Sequence, residues 1–243
     1  EVILENIYDT EPVGEKGDTT IYSDVGAIML GELIEKASGL SLDIFVDSLI
    51  FEPLGMSTTF YNPPEEKIKR VVPTEIDPKG NLIHGYVHDE NAHSLGGVAG
   101  HAGLFSTAKD LAIFSQMMLN RGLYGWKRIF KQETVDLFTT RANLVFQSSR
   151  CLGWDSPSGA SSGGVYLSDV SYGHGGYTGT TLWIDPENEI IVILLTNAVH
   201  PNRKNKDPKY FDWRHRIHSA VYESLSINVK NPSLSVRDRW INN

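Results

Sequence analysis

Between Asp24 and Ser38 the apolar side chains recur at helical spacing. Ala27, Leu30, Leu33, Ile34 and Ala37 fall on one broad face, and Glu32, Glu35 and Lys36 on the other. The pattern predicts an amphipathic helix over 24–38, with Ser23 as its N-cap and Gly39 as its stop. The stretch SLDIFVDSLIFEPL predicts a second, short helix, capped by Ser41 and ended by Pro53 and Gly55. Residues 57–100 carry many Pro, Gly, Asn, Asp and His and no long periodic run, so an irregular loop region is expected there, of the kind that is usually functional. Periodicity returns over 106–120, where Leu111, Phe114 and Met118 predict the core stripe of a helix opened by Ser106, and Gly122 follows its end. Residues 131–140 predict another helix.

From about Cys151 the pattern changes to short β-branched and aromatic runs: LGWDS, VSYGH, TTLWIDP and EIIVILLTN. TTLWIDPENEIIVILLTN predicts a hairpin with Pro186, Glu187 and Asn188 in its turn. The unbroken apolar run from Ile190 to Leu195 predicts a strand buried on both faces. A last helix is expected over 210–225, amphipathic through Ile217, Val221 and Leu225, followed by a polar tail expected to fray. Helices first and antiparallel strands after them give an α+β fold class, here taken as a single domain over 1–243.

Composition narrows the partners. The 243 residues are 40% hydrophobic, enough for a sizeable core, and the formal net charge is −8. The only cationic cluster, Arg203, Lys204, Lys206 and Lys209, reads as a solvated loop, so a nucleic acid partner is not expected. A single cysteine, Cys151, rules out a disulfide within the chain and reads as a small buried residue. No apolar run is long enough for a transmembrane helix, and no signal-peptide pattern is visible.

Two stretches bear chemistry. Tyr22-Ser23-Asp24 places a phenol, a hydroxyl and a carboxylate just before a helix. An ordinary helix cap explains them, and so does a tyrosine acting as general acid or base, which needs positive charge nearby because a free phenol titrates near ~10. In SYGHGGYTGTTLWIDP, Gly173, Gly175, Gly176 and Gly179 crowd around His174 at the start of a predicted strand. Glycines weaken a strand unless a ligand or another backbone comes close; either a β-bulge with a surface histidine or a substrate-receiving edge with backbone N–H donors fits. A third group, His84, His88, Asp89, His93 and His101, has loose spacing with no HExxH and no cysteine pair, so no metal and no other cofactor is expected.

Taken in order, the Tyr-Ser-Asp motif, GGVAGHAGLFSTAKDLAIF and GHGGYTGTTLWIDPENEIIVILLTN make the chain resemble the serine β-lactamase and penicillin-binding-protein superfamily, in its class C β-lactamase-like and esterase-like branch, over about residues 21–225. The resemblance implies a β-lactamase/transpeptidase-like fold, with an antiparallel sheet flanked by helices and a helical region alongside. It places Tyr22 on the family's tyrosine base, Asp24 on its asparagine, and His174, Gly175 and Gly176 on its strand triplet, with the Tyr177 N–H as an oxyanion donor. VHDENAHSLGG falls on a loop lining the cleft, which makes His88, Asp89 and Asn91 candidate substrate contacts beside Gly175. Leu152-Gly153-Trp154 falls on a strand of the sheet.

The departures are equally specific. Asp24 is a carboxylate where the family has an amide, so it cannot donate when ionised; His174 replaces a lysine; Gly175 lacks a hydroxyl for a substrate carboxylate. The Ser-x-x-Lys nucleophile motif is absent ahead of Tyr22. The one Ser-x-x-Lys string, Ser106 to Lys109, is read as a helix cap, because Lys109 lies about 160° around the wheel from Leu111 and the core stripe. The expectation is a C-terminal part of a longer enzyme, inactive when isolated, whose nucleophile lies upstream of Glu1. It would associate with the missing part or form a homodimer through an open sheet edge.

Two functions remain. One is a serine hydrolase that works through an acyl-enzyme on an ester, a D-alanyl peptide or a β-lactam, in a bacterial periplasm or outside the cell, on a small-molecule or peptidoglycan-like substrate. The other is a non-catalytic β-lactamase-like module appended to a cell-wall or glycan enzyme, favoured by Asp24 and Gly175.

Overall fold

The computed structural model describes residues 2–206 and 210–236; Lys209 and the end of the polar tail lie outside the described residues. The chain forms two compact units, Glu1–Asp110 and Leu111–Asn243, with helices dominating the first and an antiparallel sheet in the second.

In the first unit, α1 (Val2–Tyr8) precedes α2 (Asp24–Ser38), whose ends match the sequence pattern, with Gly39 in the left-handed conformation at φ 72°. The buried face of α2 is not the expected one. Ile28 and Gly31 are buried and Ala27 and Ile34 half-buried, whereas Leu30 and Leu33 are each 61% exposed. The cause is a close backbone approach: a Cβ added to Gly100 would lie 2.0 Å from the Ala27 carbonyl oxygen and 3.2 Å from the Gly31 nitrogen. The helix docks on its small residues, and that rotates the leucines outward. Gly100→Ala should therefore cost about 3 kcal/mol of stability, since the obstacle is helix backbone that cannot move aside; chemical denaturation of the purified chain checks this.

The serine caps also differ. Ser23 has the extended backbone of an N-cap but makes no side-chain cap bond, and Asp24 instead brings a negative charge to the first turn. Ser41 makes no cap bond either. The Leu42 N–H donates 2.7 Å to Glu35 Oε1, so a carboxylate on α2 caps α3 (Leu42–Val46). A π-helical stretch, Asp47–Phe51, continues into α4 (Glu52–Leu54). Pro53 sits inside that last turn, at its start, where no N–H is needed, and Gly55 (φ 71°) ends the run. Over 57–100 the elements are short, as expected: β1 (Phe60–Tyr61), α5 (Glu65–Ile68) and α6 (Glu90–Ser94). β1 pairs with β2 (Leu104–Phe105), and Val87, Ala92 and Ala99 form a small core.

Helix α7 (Ala108–Leu119) is capped by Thr107, whose Oγ1 accepts the Asp110 N–H at 3.3 Å, and not by Ser106. Its stripe is shifted from the expected one: Met118 is buried, but Leu111 and Phe114 are half-buried while Asp110, Ser115 and Met117 are fully enclosed. Asp110 accepts from the Thr58 N–H (2.8 Å), Thr58 Oγ1 (2.7 Å) and Thr59 Oγ1 (2.9 Å). These bonds turn the first helical turn inward.

In the second unit a tight hairpin, β3 (Leu123–Tyr124) and β4 (Lys127–Arg128), leads to α8 (Gln132–Thr139). The sheet has the order β5 (Tyr172–Gly175), β6 (Thr181–Asp185), β7 (Ile190–Leu194), antiparallel throughout, with Gly173 opposite Trp183 and His174 opposite Leu182. The β6–β7 hairpin is the expected one, and Asp185 organises its turn by accepting the Glu187 and Asn188 N–H groups. β7 is not buried on both faces: Ile190 and Val192 are buried, Ile191, Ile193 and Leu194 half-buried, and Leu195 exposed. Side chains alternate across a strand, so an apolar run cannot reveal whether both faces are covered.

Leu152-Gly153-Trp154 is a turn, not a strand, with Gly153 at φ 86°; only its ends pair, Arg150 with Asp155 and Asp155 with Gly173. Helix α9 (Tyr210–Ser224) buries a polar face. Asp212, Arg214, His215, His218, Ser219 and Tyr222 are enclosed, while Ile217 and Leu225 are exposed. His218 Nε2 meets Thr181 Oγ1 at 2.8 Å, and His215 Nδ1 donates to the Ser161 carbonyl at 2.8 Å. These partners reward burial of side chains that a hydrophobic wheel assigns to water. The tail is held as far as Ser235: the Asn231 N–H donates to Val165 O, and Gly159 exchanges bonds with Ser233 and Ser235.

Burial, then the charges of Arg214 and His215, push the His218 imidazole down from 6.5 to about 4. The folded state holds it neutral, while the unfolded state protonates below about 6.5. Its contribution is thus complete above that pH and is lost as pH falls towards 4. At ~1.4 kcal/mol per tenfold, the loss amounts to about 3 kcal/mol. Denaturation midpoints between pH 7 and pH 4 should fall steeply for the wild type and less steeply for His218→Gln, which can still hydrogen-bond Thr181.

Candidate active site

In the first unit, Tyr22 is 67% exposed on extended chain just ahead of α2, and Asp24 is exposed in that helix's first turn. A phenol so placed is open to solvent.

The histidine-bearing loop is tied down internally. His88 Nε2 lies 2.9 Å from Glu75 Oε2, with both side chains nearly enclosed. Asp89 is the N-cap of α6: its Oδ1 accepts both the Ala92 N–H and His101 Nε2 at 2.8 Å. Burial pulls the Asp89 carboxyl upward, but the Ala92 N–H, the His101 bond and charge, and the Asn91 N–H together hold it below the usual carboxylate range. Asn91 is exposed in the same turn. His84 donates to the Val71 carbonyl at 2.8 Å, and His93 lies beside the Tyr86 ring. The imidazoles therefore disperse among separate partners, and among the described residues no three His, Cys, Asp or Glu side chains converge as a metal-binding group. Ser106 Oγ is bonded to Thr59 Oγ1 at 2.8 Å and Lys109 is exposed, so this serine and lysine make no nucleophile pair.

In the second unit, His174 and Gly175 end β5, and the chain then folds back through Gly176 and Tyr177 to β6. Gly173 is sterically required, whereas Gly176 faces a hydroxyl. A Cβ on Gly173 would lie 2.4 Å from Trp183 Cδ2, and one on Gly176 would lie 2.4 Å from Thr180 Oγ1. On Gly175 a Cβ would meet Arg214 Nη1 at 3.2 Å, so the space a hydroxyl-bearing side chain would need lies against a guanidinium. The Gly176 N–H donates to the Thr180 carbonyl at 2.7 Å and its carbonyl accepts the Gly179 N–H, which closes a tight loop carrying Tyr177. The Tyr177 carbonyl accepts Lys206 Nζ at 2.6 Å, and that ammonium also lies 4.5 Å from the Tyr177 ring centre. Burial, then the Arg214 charge, pull Lys206 below its usual range. Two residues of the solvated-loop reading, Arg203 and Lys204, are in a short 3₁₀ turn, but Lys206 joins the site.

The sequence reading missed Arg150 and Asp155. Arg150 Nη1 lies 3.4 Å from His174 Nε2 and 3.0 Å from Asp155 Oδ1. The signal was an Arg and an Asp flanking a glycine turn, Arg150-Cys-Leu-Gly-Trp-Asp155, which a hairpin places opposite each other. Cys151 beside them is buried, its thiol pushed upward chiefly by burial, and its Sγ donates to the Thr139 carbonyl.

Comparison with known proteins gives a consistent result. The curated relatives include a putative D-alanyl-D-alanine carboxypeptidase of Escherichia coli K12, 37% identical over 229 residues, spanning 86% of this chain and 52% of that protein. Another is an N-acetylmuramyl-L-alanine amidase of Bacillus subtilis 168, 38% identical over 204 residues, spanning 76% and 46%. The chain thus spans about half the length of the curated relatives it matches. Among solved structures, the simvastatin synthase LovD of Aspergillus terreus superposes with a TM-score of 0.66 at 19% identity, covering 89% of this chain and 58% of that one. An octameric penicillin-binding protein homologue from Pyrococcus abyssi gives 0.57 at 21%, covering 89% and 45%. These likenesses establish the β-lactamase/transpeptidase-like fold. Since the Beta-lactamase family model matches residues 1–216 in addition, the chain belongs to the beta-lactamase family.

Proposed function

We propose that this chain is the part of a serine acyl-transfer hydrolase that supplies the tyrosine base and the strand motif, and that it acts with a nucleophile serine and lysine carried elsewhere in a longer protein. The carrying observation is the 37% identity over 229 residues to a putative D-alanyl-D-alanine carboxypeptidase, joined to a His174-Gly175-Gly176 strand end that opens into a tight loop carrying Tyr177. Among the three substrate classes we favour a D-alanyl peptide of cell-wall type, which the relatives' names support, and with it a site of action in a bacterial periplasm or outside the cell.

In this reading the serine oxygen attacks the substrate carbonyl carbon while Tyr22 takes its proton. The Tyr177 N–H holds the developing oxyanion. Tyr22 returns the proton to the leaving group as the tetrahedral intermediate collapses, and water repeats the sequence on the acyl-enzyme. His174 tunes the proton transfer, Asp24 positions its neighbours, and His88, Asp89 and Asn91 line the approach, where the internal bonds of His88 and Asp89 shape the loop. On this reading the isolated chain is inactive. A second reading, a non-catalytic module, is favoured by the carboxylate at Asp24 and the bare Gly175.

The test is to read the full-length gene for Ser-x-x-Lys ahead of Glu1 and to assay the full-length protein on a chromogenic ester, a D-alanyl peptide and a chromogenic cephalosporin. Turnover with a covalent serine adduct supports the hydrolase. A full-length protein lacking the motif, and inert to all three, supports the module instead.

A further inference from the structure

We propose that Arg150 is a positioning residue for His174: it holds the imidazole as the Nδ1–H tautomer and supplies the fixed positive charge beside the strand motif. The inference deepens the hydrolase reading and rests on it for the role of His174 in catalysis, though not for the tautomer itself.

The argument starts from donor chemistry. A guanidinium has five N–H donors, no acceptor, and does not deprotonate in proteins. A hydrogen bond between Arg150 Nη1 and His174 Nε2, at 3.4 Å, therefore requires a lone pair on Nε2. The neutral ring then carries its proton on Nδ1. Protonating Nε2 would both break the bond and set an imidazolium against a guanidinium. The bond is long, as catalytic bonds often are before substrate arrives.

The placement of Arg150 is built in. Asp155 Oδ1 holds the same Nη1 at 3.0 Å, and both side chains are about two-thirds buried. The Arg150–Asp155 turn is closed by the Cys151 N–H donating to the Trp154 carbonyl at 2.9 Å and by Gly153 in a positive-φ conformation. Asp155 is in turn locked to β5, exchanging backbone bonds with Gly173 at 2.8 and 2.9 Å, one residue before His174. The Trp154 ring packs edge-on against Tyr172, which shares the His174 face of β5. The Arg150 guanidinium, itself paired with Asp155, is thus a charged neighbour of the imidazole. With Nε2 committed as an acceptor, His174 cannot present a proton from that nitrogen. Arg150 thus keeps a positive charge beside His174 that does not vary with physiological pH.

The experiment is ¹⁵N–¹H correlation NMR of the imidazole nitrogens in the ¹⁵N-labelled chain at about pH 8, with His174 assigned by the signals lost in His174→Gln. The expected result is a protonated Nδ1 and an unprotonated Nε2. Arg150→Met should shift the ring to the Nε2–H tautomer, and Arg150→Lys, which keeps a donor without an acceptor, should retain Nδ1–H. The other histidine signals report whether each variant is folded, and the wild-type tautomer decides even if Arg150→Met does not fold: an Nε2–H wild type overturns the inference. An Nδ1–H ring that ignores Arg150→Met in a folded variant overturns it as well. In the full-length protein, Arg150→Met should lower kcat at least about tenfold with little change in KM and alter the acid limb of the pH–rate profile. If the tautomer follows Arg150 but the full-length protein hydrolyses nothing, the hydrolase reading fails and the tautomer assignment stands. If the enzyme is active and neither tautomer nor pH profile responds to Arg150→Met, this inference alone fails.

Discussion

Tyr22→Phe in the full-length protein should lower kcat by about 100- to 10,000-fold on whichever acyl substrate it turns over, with KM changed far less. The substitution removes one oxygen and keeps the ring. Because Tyr22 is exposed, folding should be unaffected, and a melting curve would confirm it. A general base that carries a proton from the nucleophile and back to the leaving group acts only as the transition state forms, so its loss appears in kcat rather than in binding. Turnover of a chromogenic ester by wild type and variant, side by side, is sufficient. Undiminished turnover in the variant would mean that Tyr22-Ser23-Asp24 is no more than a helix entry, and the proposed mechanism would have no base.

The largest effect on stability is expected at Asp185. This fully buried carboxylate accepts six hydrogen bonds: the Ser168 N–H and Oγ–H, the Glu187 and Asn188 N–H groups, Asn188 Nδ2 and the Tyr222 hydroxyl. It joins the β6–β7 turn to the 168–171 loop and to α9. Burial raises its carboxyl, but the Ser168, Asn188 and Tyr222 bonds outweigh that and hold it below the usual range; the same burial and the same carboxylate push the Tyr222 hydroxyl upward. Asp185→Ala leaves several enclosed donors without an acceptor and should cost about 3–5 kcal/mol, a large share of the ~5–15 kcal/mol available to a typical protein. Asp185→Asn should recover little, because its amide N–H₂ would face donors. Urea denaturation of the three proteins measures this. The wild-type advantage should be complete above about pH 4 and fade as pH falls through the depressed folded value, since both states then bind the proton. An Asp185→Ala protein within 1 kcal/mol of wild type would show that the network contributes no more than an ordinary surface turn.

The exposed Leu30 and Leu33 on α2 and the buried His215 and His218 on α9 mark where sequence periodicity misleads. In both helices the wheel located the helix and missed its orientation. A hydrophobic pattern assumes that the core takes the largest apolar side chains. Helix α2 is turned by the contact of Ala27 and Gly31 with Gly100, and α9 by hydrogen-bonding partners on β6 and the 161–165 loop.

What the residues dictate locally could be read without coordinates. Examples are the span of α2 from Asp24 to its stop at Gly39, the hairpin around Pro186, and the outward direction of Lys109. These depend on backbone propensity, side-chain spacing or the absence of a Cβ, all of which act within a few residues. Other features came from the folded chain: Glu35 capping α3, Thr107 in place of Ser106, the joining of His88 to Glu75, and the seating of Arg150 between Asp155 and His174. Each pairs groups separated along the chain, or selects among equally good local partners. That selection is made by packing and by the gain from pairing enclosed polar groups, which no local pattern encodes.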